Sequence, residues 1–218
     1  MLCVGLRRTN SVVHIVTNLN RGRFRRQIDQ MHRDRKRLFV DRLKWDVSVV
    51  DGEFEIDEFD TDRAIYLIET DRTTARHVAS VRFLPTTQPH ILSTVFSSLC
   101  DGPVPIGEDI MELTRLCVSP DLAKSAAVSV CHHMWIASVE FALLFGISRY
   151  TGVSQAQFLS SLLSSGWEIE PLGLPRDIDG QITGAVAMPI TPDTLRRARA
   201  RFGYRYPVLE VIPQTQAA

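Results

Sequence analysis

Four short clusters of charged and aromatic residues are the parts of this sequence that could carry chemistry. In chain order they are Arg35-x3-Phe39-x5-Trp45, the acidic run Glu55-Ile56-Asp57-Glu58-Phe59-Asp60, the segment Arg82-Phe83-Leu84-Pro85-Thr86-Thr87, and Glu112-Leu113-Thr114-Arg115. Glu112 interrupts an apolar segment, where a carboxylate costs free energy unless it is paired or functional. Glu112 is therefore either paired or functional, and Arg115 is the first partner to test.

Each cluster also has an ordinary structural interpretation. Arg35 and Phe39 lie one helical turn apart, as in an amphipathic helix with a partly buried arginine stem. The acidic run fits a solvated loop. In a regular strand positions 112 and 115 face opposite sides of the sheet, so a direct pair between Glu112 and Arg115 requires a bulge or a distorted strand. Taken singly, the clusters leave these alternatives open.

The hydrophobic pattern predicts the elements that must position these clusters. Residues 21–43 are predicted as a helix that carries Arg35 and Phe39, residues 111–118 as a strand that carries Glu112, and residues 125–145 as a long helix that ends at Gly146. The remaining predictions are strands at 14–16, 65–69, 78–83, 150–153, 167–172 and 185–188, and helices at 92–96, 154–163 (with Ser154 as N-cap) and 192–202. This mixture indicates an α/β (α+β) fold, a three-layer αβα sandwich with a mixed sheet covered by helices on both faces.

Length and composition favour one ordinary globular domain. The chain has 218 residues, of which 44% are hydrophobic and 23% are charged, and these values argue against disorder and fibrous classes. We expect a single domain over residues 1–218, with a possible extension at 1–12 and a tail at 207–218. The longest apolar run, 141–147, is too short to span a bilayer, and we expect a cytoplasmic protein. The four cysteines have no metal-ligand spacing, so no metal site is expected.

Charge is unevenly distributed although the net charge is zero. Residues 21–44 hold ten Lys or Arg against three acids, whereas residues 46–62 hold eight acids and no base. A third, basic group occupies the predicted C-terminal helix at Arg196, Arg197 and Arg201. Such runs are usually solvated or neutralised within the protein, but they also suit an acidic partner, either nucleic acid or a carrier protein. Because no nucleic-acid-binding motif accompanies them, we expect no nucleic-acid partner.

Taken together and in order, the clusters resemble the N-acyl-homoserine lactone synthase family, the LuxI-type autoinducer synthases of bacterial quorum sensing. The resemblance spans roughly residues 31–118 and rests on a set of ordered matches. These are Met31-His32-x2-Arg35-x3-Phe39-x5-Trp45-Asp46-Val47, Glu55-Ile56-Asp57-x-Phe59-Asp60, Arg82-x-Leu84-Pro85-Thr86-Thr87, Phe96, and Glu112-Leu113-x-Arg115. The resemblance implies a single-domain fold similar to the GNAT acetyltransferases, with a mixed and partly splayed sheet.

The family resemblance also implies the reaction and its residues. The amine of S-adenosylmethionine attacks an acyl thioester, and the methionine carboxylate then displaces methylthioadenosine to close a lactone; S-adenosylmethionine is a substrate, and no cofactor is implied. By this resemblance Glu112 is the catalytic base. Arg115 is counted with it as catalytic and is expected to orient the methionine carboxylate or to hold the acids. S-adenosylmethionine is expected to bind to Arg35, Phe39, Trp45, Asp57, Asp60 and Arg82, where carboxylates and aromatic rings suit a sulfonium cation and arginines orient a carboxylate or lock the acids.

The acyl group and its carrier are assigned on the same basis. Phe96, Leu116, Trp135 and Val153 are expected to line the acyl pocket. An acyl carrier protein is favoured over acyl-CoA, because residues 118–127 contain no glycine, whereas GNAT enzymes cradle the CoA pyrophosphate there with a glycine-rich turn. Docking is assigned to Arg196, Arg197 and Arg201, and we expect a monomer.

Two other functions are compatible with these residues. One is a GNAT-like N-acyltransferase that acts on another amine. The other is a non-catalytic relative that only binds a ligand or regulates a partner; the presence of both Glu112 and Arg115 argues against it.

Overall fold

The computed structural model describes residues 10–158, 162 and 166–210. The strands in these ranges are β1 (Ser11–Val16), β2 (Val49–Val50), β3 (Phe54–Glu55), β4 (Ile65–Asp71), β5 (His77–Pro85), β6 (Ile110–Val118), β7 (Arg149–Gln155), β8 (Glu170–Pro171), β9 (Arg176–Ile178), β10 (Gln181–Pro189) and β11 (Leu209–Glu210). The α-helices are α1 (Arg25–Arg35), α2 (Ile91–Thr94), α3 (Lys124–Phe145) and α4 (Pro192–Phe202).

All of these strands except the β2–β3 hairpin belong to one mixed sheet. Its order is β11-β1-β4-β5-β6-β7-β10-β8, and β9 also pairs with β10. The β1–β11 and β6–β7 pairs are parallel, and the other pairs of this sheet are antiparallel. The strands predicted at 65–69 and 78–83 are present as β4 and β5, which pair with each other as a hairpin.

Helices cover both faces of this sheet. On one side, called the α1 face, Met31 packs with Tyr66, Ile68 and Leu84. On the other side, called the α3 face, the buried residues of α3 pack against the inward side chains of β5 and β7, and α4 packs on α3. The predicted α/β (α+β) architecture with helices on both faces is confirmed.

The sheet opens between β6 and β7. Only three residue pairs join these strands, Ile110 with Arg149, Met111 with Tyr150, and Glu112 with Thr151. Beyond them both strands continue, to Val118 and Gln155, without pairing to each other. The sheet is thus splayed from Glu112 onward, as expected from the family resemblance.

The helix predicted over residues 21–43 has three parts. A 3₁₀ turn (Arg21–Phe24) leads into α1, and α1 continues into a π-helix (Lys36–Arg42). The wider turn ends at Lys44, whose φ of 60° lies in the left-handed region that favours glycine. This ending lets Trp45 fold back so that its amide donates to the carbonyl of Phe39 at 2.9 Å.

Helix α3 is the longest helix described, and it ends as predicted at Gly146, which adopts φ 70°. By length and composition alone this helix could cross a membrane, a test that the core helix of a globular protein also passes. Residues along it, including Met134, Ala137 and Phe141, are buried against the sheet. This packing agrees with the role of a core helix.

Several predicted boundaries are wrong. Ser154 is not a helix N-cap, because β7 continues through it to Gln155 and the following helical residues are 156–158; residues 159–161 and 163 of the predicted helix lie outside the described residues. The strand predicted over 167–172 is reduced to Glu170–Pro171. The short strands β2, β3, β9 and β11 were not predicted. The expected C-terminal tail contributes β11 to the sheet, and the expected N-terminal extension overlaps the start of β1.

Gly173, which follows β8, lies against the backbone of Leu99 and Asp101 in the loop before β6. This contact tests how that loop docks onto the sheet. A Cβ atom at Gly173 would lie 2.5 Å from the carbonyl oxygen of Leu99 and 2.9 Å from the amide nitrogen of Asp101. Gly173→Ala is expected to lower the free energy of unfolding by about 2 kcal/mol, because backbone atoms cannot move aside as a flexible side chain can. Urea denaturation measures this change. Gly102→Ala is the control, since a methyl group at that position would have no atom within 4 Å; an equal loss in both variants contradicts the docking of this loop.

Candidate active site

Three arginines and three carboxylates form a closed ring of alternating charge on the α1 face. Arg35 donates to Asp60 through two bonds of 2.9 Å and also to Glu55. Arg82 donates to Asp57 at 2.5 and 2.9 Å and lies 2.8 Å from Asp60. Arg115 closes the ring, because it donates to Glu55 at 3.1 Å and to Asp57 at 2.8 Å. We call these six residues the charged ring.

Four separate parts of the chain supply the charged ring. Arg35 is the last residue of α1, Arg82 lies in β5 and Arg115 in β6. Glu55 ends β3, and the two aspartates follow in a turn in which the amide of Asp57 donates to the Asp60 carboxylate at 2.9 Å. Two-point arginine–carboxylate bonds are among the strong polar contacts in proteins. The ring therefore ties α1, the β3 turn and the sheet together.

A bulge in β6 aims Arg115 into the ring. Ser80 pairs with Cys117 and Arg82 pairs with Thr114, so two residues of β6 oppose one residue of β5. Arg115 is the first of these two, and its φ of 52° lies in the left-handed region. Its side chain therefore reaches the α1 face instead of the α3 face that regular alternation predicts. The distorted strand anticipated from the sequence is present, but it serves a different pair.

The ring is almost fully buried, and only one edge of it reaches solvent. The side chains of Arg35, Glu55, Asp60 and Arg82 are at most 2% exposed, whereas those of Asp57 and Arg115 are each 12% exposed. Burial alone raises the pKa of Asp60, but the charges and hydrogen bonds of Arg35 and Arg82 hold that pKa far below its ordinary value. Asp60 is therefore ionised throughout the physiological range, and a ligand could touch the ring at Asp57 and Arg115.

Glu112 lies in β6 on the same face as the ring, but it is not part of the ring. It pairs in register with Leu84 and Thr151, at the point where the sheet opens. One carboxylate oxygen accepts the amide of Leu92 at 2.9 Å, and the other has no hydrogen-bond partner among the described residues. Burial raises the pKa of Glu112 to about 7, partly offset by hydrogen bonds from the α2 amides. This is the pKa of a group that can accept a proton near neutral pH.

Arg115 is not the hydrogen-bonding partner of Glu112, in contrast to the first candidate pairing. Its guanidinium is held by Glu55 and Asp57 instead. Glu55 is a ring member that the sequence prediction did not assign to the site. Its position in the acidic run next to Asp57 was the available signal, since a buried arginine needs a second carboxylate to satisfy its five donors.

Phe39 and Trp45 form an aromatic pair beside the exposed edge of the ring. Their rings stack with centroids 4.7 Å apart and planes 9° apart. The Arg115 guanidinium lies 5.7 Å from the centroid of Phe39. Trp45 is half-buried, and its indole nitrogen has no hydrogen-bond partner among the described residues. Phe39, Trp45, Arg115 and Asp57 are thus contiguous. That Phe39, Trp45 and Asp57 bind S-adenosylmethionine stays a prediction.

The four predicted acyl-pocket residues fall into two pairs. Phe96 and Val153 pack with Leu92 and Ala185. Leu116 and Trp135 instead pack against the core on the α3 face. The splay between β6 and β7 lies between these groups, so an acyl chain would have to pass through that opening to contact all four. Their role in the acyl pocket stays a prediction.

The three predicted docking arginines are exposed on α4. Arg196 and Arg197 both pair with Asp193, the latter at 3.2 Å. Arg201 has no ion pair within the part of the chain that the structure describes. No group of three potential metal ligands occurs among those residues either.

The match to known proteins is extensive. The family model for autoinducer synthases matches residues 20–198. The chain belongs to the autoinducer synthase family. A probable acyl-homoserine-lactone synthase of Sinorhizobium fredii is 30% identical over 84% of this chain and 89% of that protein. The chain is accordingly an acyl-homoserine-lactone synthase, an acyltransferase, and the family resemblance found in the sequence is confirmed.

Solved synthase structures share the fold of this autoinducer synthase. The CoA-dependent acyl-homoserine lactone synthase BjaI, solved with SAM and isopentyl-CoA, superposes with a TM-score of 0.84 at 25% identity, over 92% of each chain. MesI, also described as CoA-dependent, superposes with a TM-score of 0.80 at 27% identity, over 90% of this chain and 98% of its own. These matches agree with the fold described above.

The raised pKa of Glu112 predicts a pH-dependent stability cost in the synthase. In the folded protein Glu112 stays protonated up to about pH 7, whereas the ordinary pKa of a glutamate side chain is 4.5. The free energy of unfolding therefore falls as pH rises from 4.5 to about 7. Glu112→Gln removes the cost and should raise the free energy of unfolding at pH 8 by on the order of 2–3 kcal/mol, with little gain at pH 4.5. Urea denaturation at both pH values measures this. The exposed Glu108→Gln is the control; a pH-independent gain contradicts a cost that comes from ionisation of Glu112.

Proposed function

We propose that this synthase joins S-adenosylmethionine to an acyl thioester and releases methylthioadenosine. The observation that carries the proposal is Glu112, a buried carboxylate with one free oxygen and a pKa of about 7 at the opening of the sheet. One BjaI structure contains SAM and isopentyl-CoA, and another contains MTA. These structures support the choice of substrate class. The reaction as written needs no metal or further cofactor.

Glu112 acts as the general base in this proposal. An α-amino group has an ordinary pKa of about 8, so transfer of its proton to a carboxylate with a pKa of about 7 is nearly balanced. The freed amine attacks the thioester carbonyl, and the thiol leaves with a proton. The methionine carboxylate then attacks the carbon next to the sulfonium, the carbon–sulfur bond breaks, and the lactone closes as methylthioadenosine departs. Positioning of the two substrates supplies most of the acceleration.

S-adenosylmethionine is placed at the exposed edge of the charged ring. Arg115 offers a guanidinium for the methionine carboxylate, and Asp57 offers a carboxylate for the ammonium or sulfonium. The half-buried indole of Trp45, supported by Phe39, offers a face to the cation or the adenine. Arg35, Arg82 and Asp60 lie on the buried side of the ring and are bonded to other ring members. We assign to these three the task of holding the edge in place.

An assay with defined substrates tests this reaction. Wild-type protein with S-adenosylmethionine and an acyl thioester is expected to yield an acyl-homoserine lactone and methylthioadenosine in equal amounts, measured by mass spectrometry. Glu112→Gln should lower turnover by about 100-fold, and wild-type kcat/KM should rise with pH through about 7 as Glu112 loses its proton. Glu108→Gln is the matched control. Acyl transfer without methylthioadenosine release selects the GNAT-like acyltransferase alternative.

We further propose that the acyl group arrives on an acyl carrier protein that docks on α4. Arg197 and Arg201 are exposed on this helix, and carrier proteins of this class are strongly acidic, so opposite charges would steer their association. Arg196 and Arg197 share Asp193, which leaves a net positive face. BjaI and MesI are described as CoA-dependent, so acyl-CoA is the competing carrier, and the experiment must decide between them.

The docking proposal is tested by charge reversal and salt. With acyl carrier protein as substrate, the Michaelis constant should rise several-fold between ~0.05 and ~0.3 M salt, because screening shortens the Debye length. Arg197→Glu with Arg201→Glu should reproduce much of that rise without changing S-adenosylmethionine binding. Arg72→Glu with Arg76→Glu, in the β4–β5 turn, is the control. If acyl-CoA is the more efficient substrate and the α4 reversal changes neither rate, the docking proposal is wrong.

A further inference from the structure

A second polar chain lies next to the charged ring on the α1 face. The Nδ1 atom of His77 lies 2.8 Å from the carboxylate of Asp34, and its Nε2 atom lies 3.1 Å from the hydroxyl of Ser80. All three residues are buried. The order of groups is that of a serine hydrolase triad, but the reaction proposed above uses no serine nucleophile. The chain therefore needs another explanation.

Both ends of the polar chain Asp34–His77–Ser80 adjoin a part of the charged ring. Asp34 directly precedes Arg35 on α1. Ser80 is the last regularly paired residue of β5 before the bulge that aims Arg115. His77 lies between them, and its own backbone amide also donates to Gln30 of α1 at 2.9 Å. One histidine thus links the helix that carries Arg35 to the strand beside the bulge.

Asp34 is held from several directions. Arg37 donates to it at 3.0 Å, and Ser119, which follows β6, also hydrogen-bonds to it. Burial alone raises the pKa of Asp34, but the hydrogen bond and charge of His77 and these neighbours lower it. An ionised carboxylate at the end of α1 therefore anchors the helix to β5 and to the segment after β6.

We propose that His77 is a positioning residue for the S-adenosylmethionine site, which acts through Asp34 on Arg35 and through Ser80 on the bulge at Arg115. This inference rests on the proposed function, because it assigns the effect to the S-adenosylmethionine edge of the ring. A rotation of α1 or a shift of the bulge would displace the guanidinium of Arg115 relative to Asp57. Loss of the hydrogen bonds of His77 should therefore weaken the binding of S-adenosylmethionine more than the binding of the acyl thioester.

His77→Leu tests this selectivity because it removes both side-chain bonds. The dissociation constant for S-adenosylmethionine, measured by calorimetry, should rise about tenfold, and the Michaelis constant for the acyl thioester should change less than about twofold. The matched control is His133→Leu, since His133 also lies 2.8 Å from a buried carboxylate, that of Glu69, but on the α3 face. The His133→Leu variant should lose about as much thermal stability as His77→Leu, and it should keep its affinity for S-adenosylmethionine. Equal effects on that affinity overturn the proposal.

Two milder variants keep the test decisive if His77→Leu does not fold. The amide of His77→Asn can still donate to Asp34 from near the Nδ1 position but cannot reach Ser80, and Ser80→Ala removes the same half of the chain. Both should weaken S-adenosylmethionine binding about threefold, and to a similar extent. Unchanged affinity in both overturns the positioning role. If the wild-type protein itself does not bind S-adenosylmethionine, the proposed function fails, and this inference fails with it.

Discussion

The charged ring is the constraint on which the rest of this structure depends. Three guanidinium groups removed from water cost far more free energy than their packing returns unless each one meets carboxylates with good geometry. A ring in which every charge has two opposite neighbours meets this requirement, and removal of one member would leave an uncompensated buried charge that costs about 3–5 kcal/mol. Because the members come from α1, the β3 turn, β5 and β6, the ring joins these four parts of the structure to one another.

Two irregularities of a single strand bring the ring and the reactive carboxylate together. The bulge at Arg115 turns a side chain onto the α1 face that would otherwise point into the α3 core. Three residues earlier, the pairing of β6 with β7 ends at Glu112. A regular and fully paired strand would have placed Arg115 on the opposite face and closed the opening beside Glu112. The proposed catalytic site therefore depends on local departures from ideal sheet geometry, which are common next to active sites.

The uneven charge along the chain is partly neutralised by ion pairs within the molecule. The basic and acidic segments meet through Arg35 with Glu55 and Asp60, and through Arg33 with Glu53. On the tail helix, Arg199 pairs with Glu140 at 2.7 Å and so contributes to the fold. Neutralisation within the protein, the ordinary interpretation of a charge run, thus accounts for part of the first two segments. Arg23, Arg25 and Arg26 are exposed and have no ion pair among the described residues, so they are left for a partner together with the exposed arginines of α4.

From the sequence, apolar periodicity predicted most of the longer helices and strands, ordered motifs predicted the family, and a carboxylate in an apolar strand marked Glu112 as a candidate reactive group. Three features follow from the tertiary structure alone: Arg115 pairs with Glu55 and Asp57, β7 continues through Ser154, and Phe39 stacks on Trp45. Strand alternation in the sequence argued against a shared face for positions 112 and 115, and no local pattern marks a bulge. Contacts between residues 20 to 60 positions apart depend on how elements pack, and propensity within one segment carries no information about that.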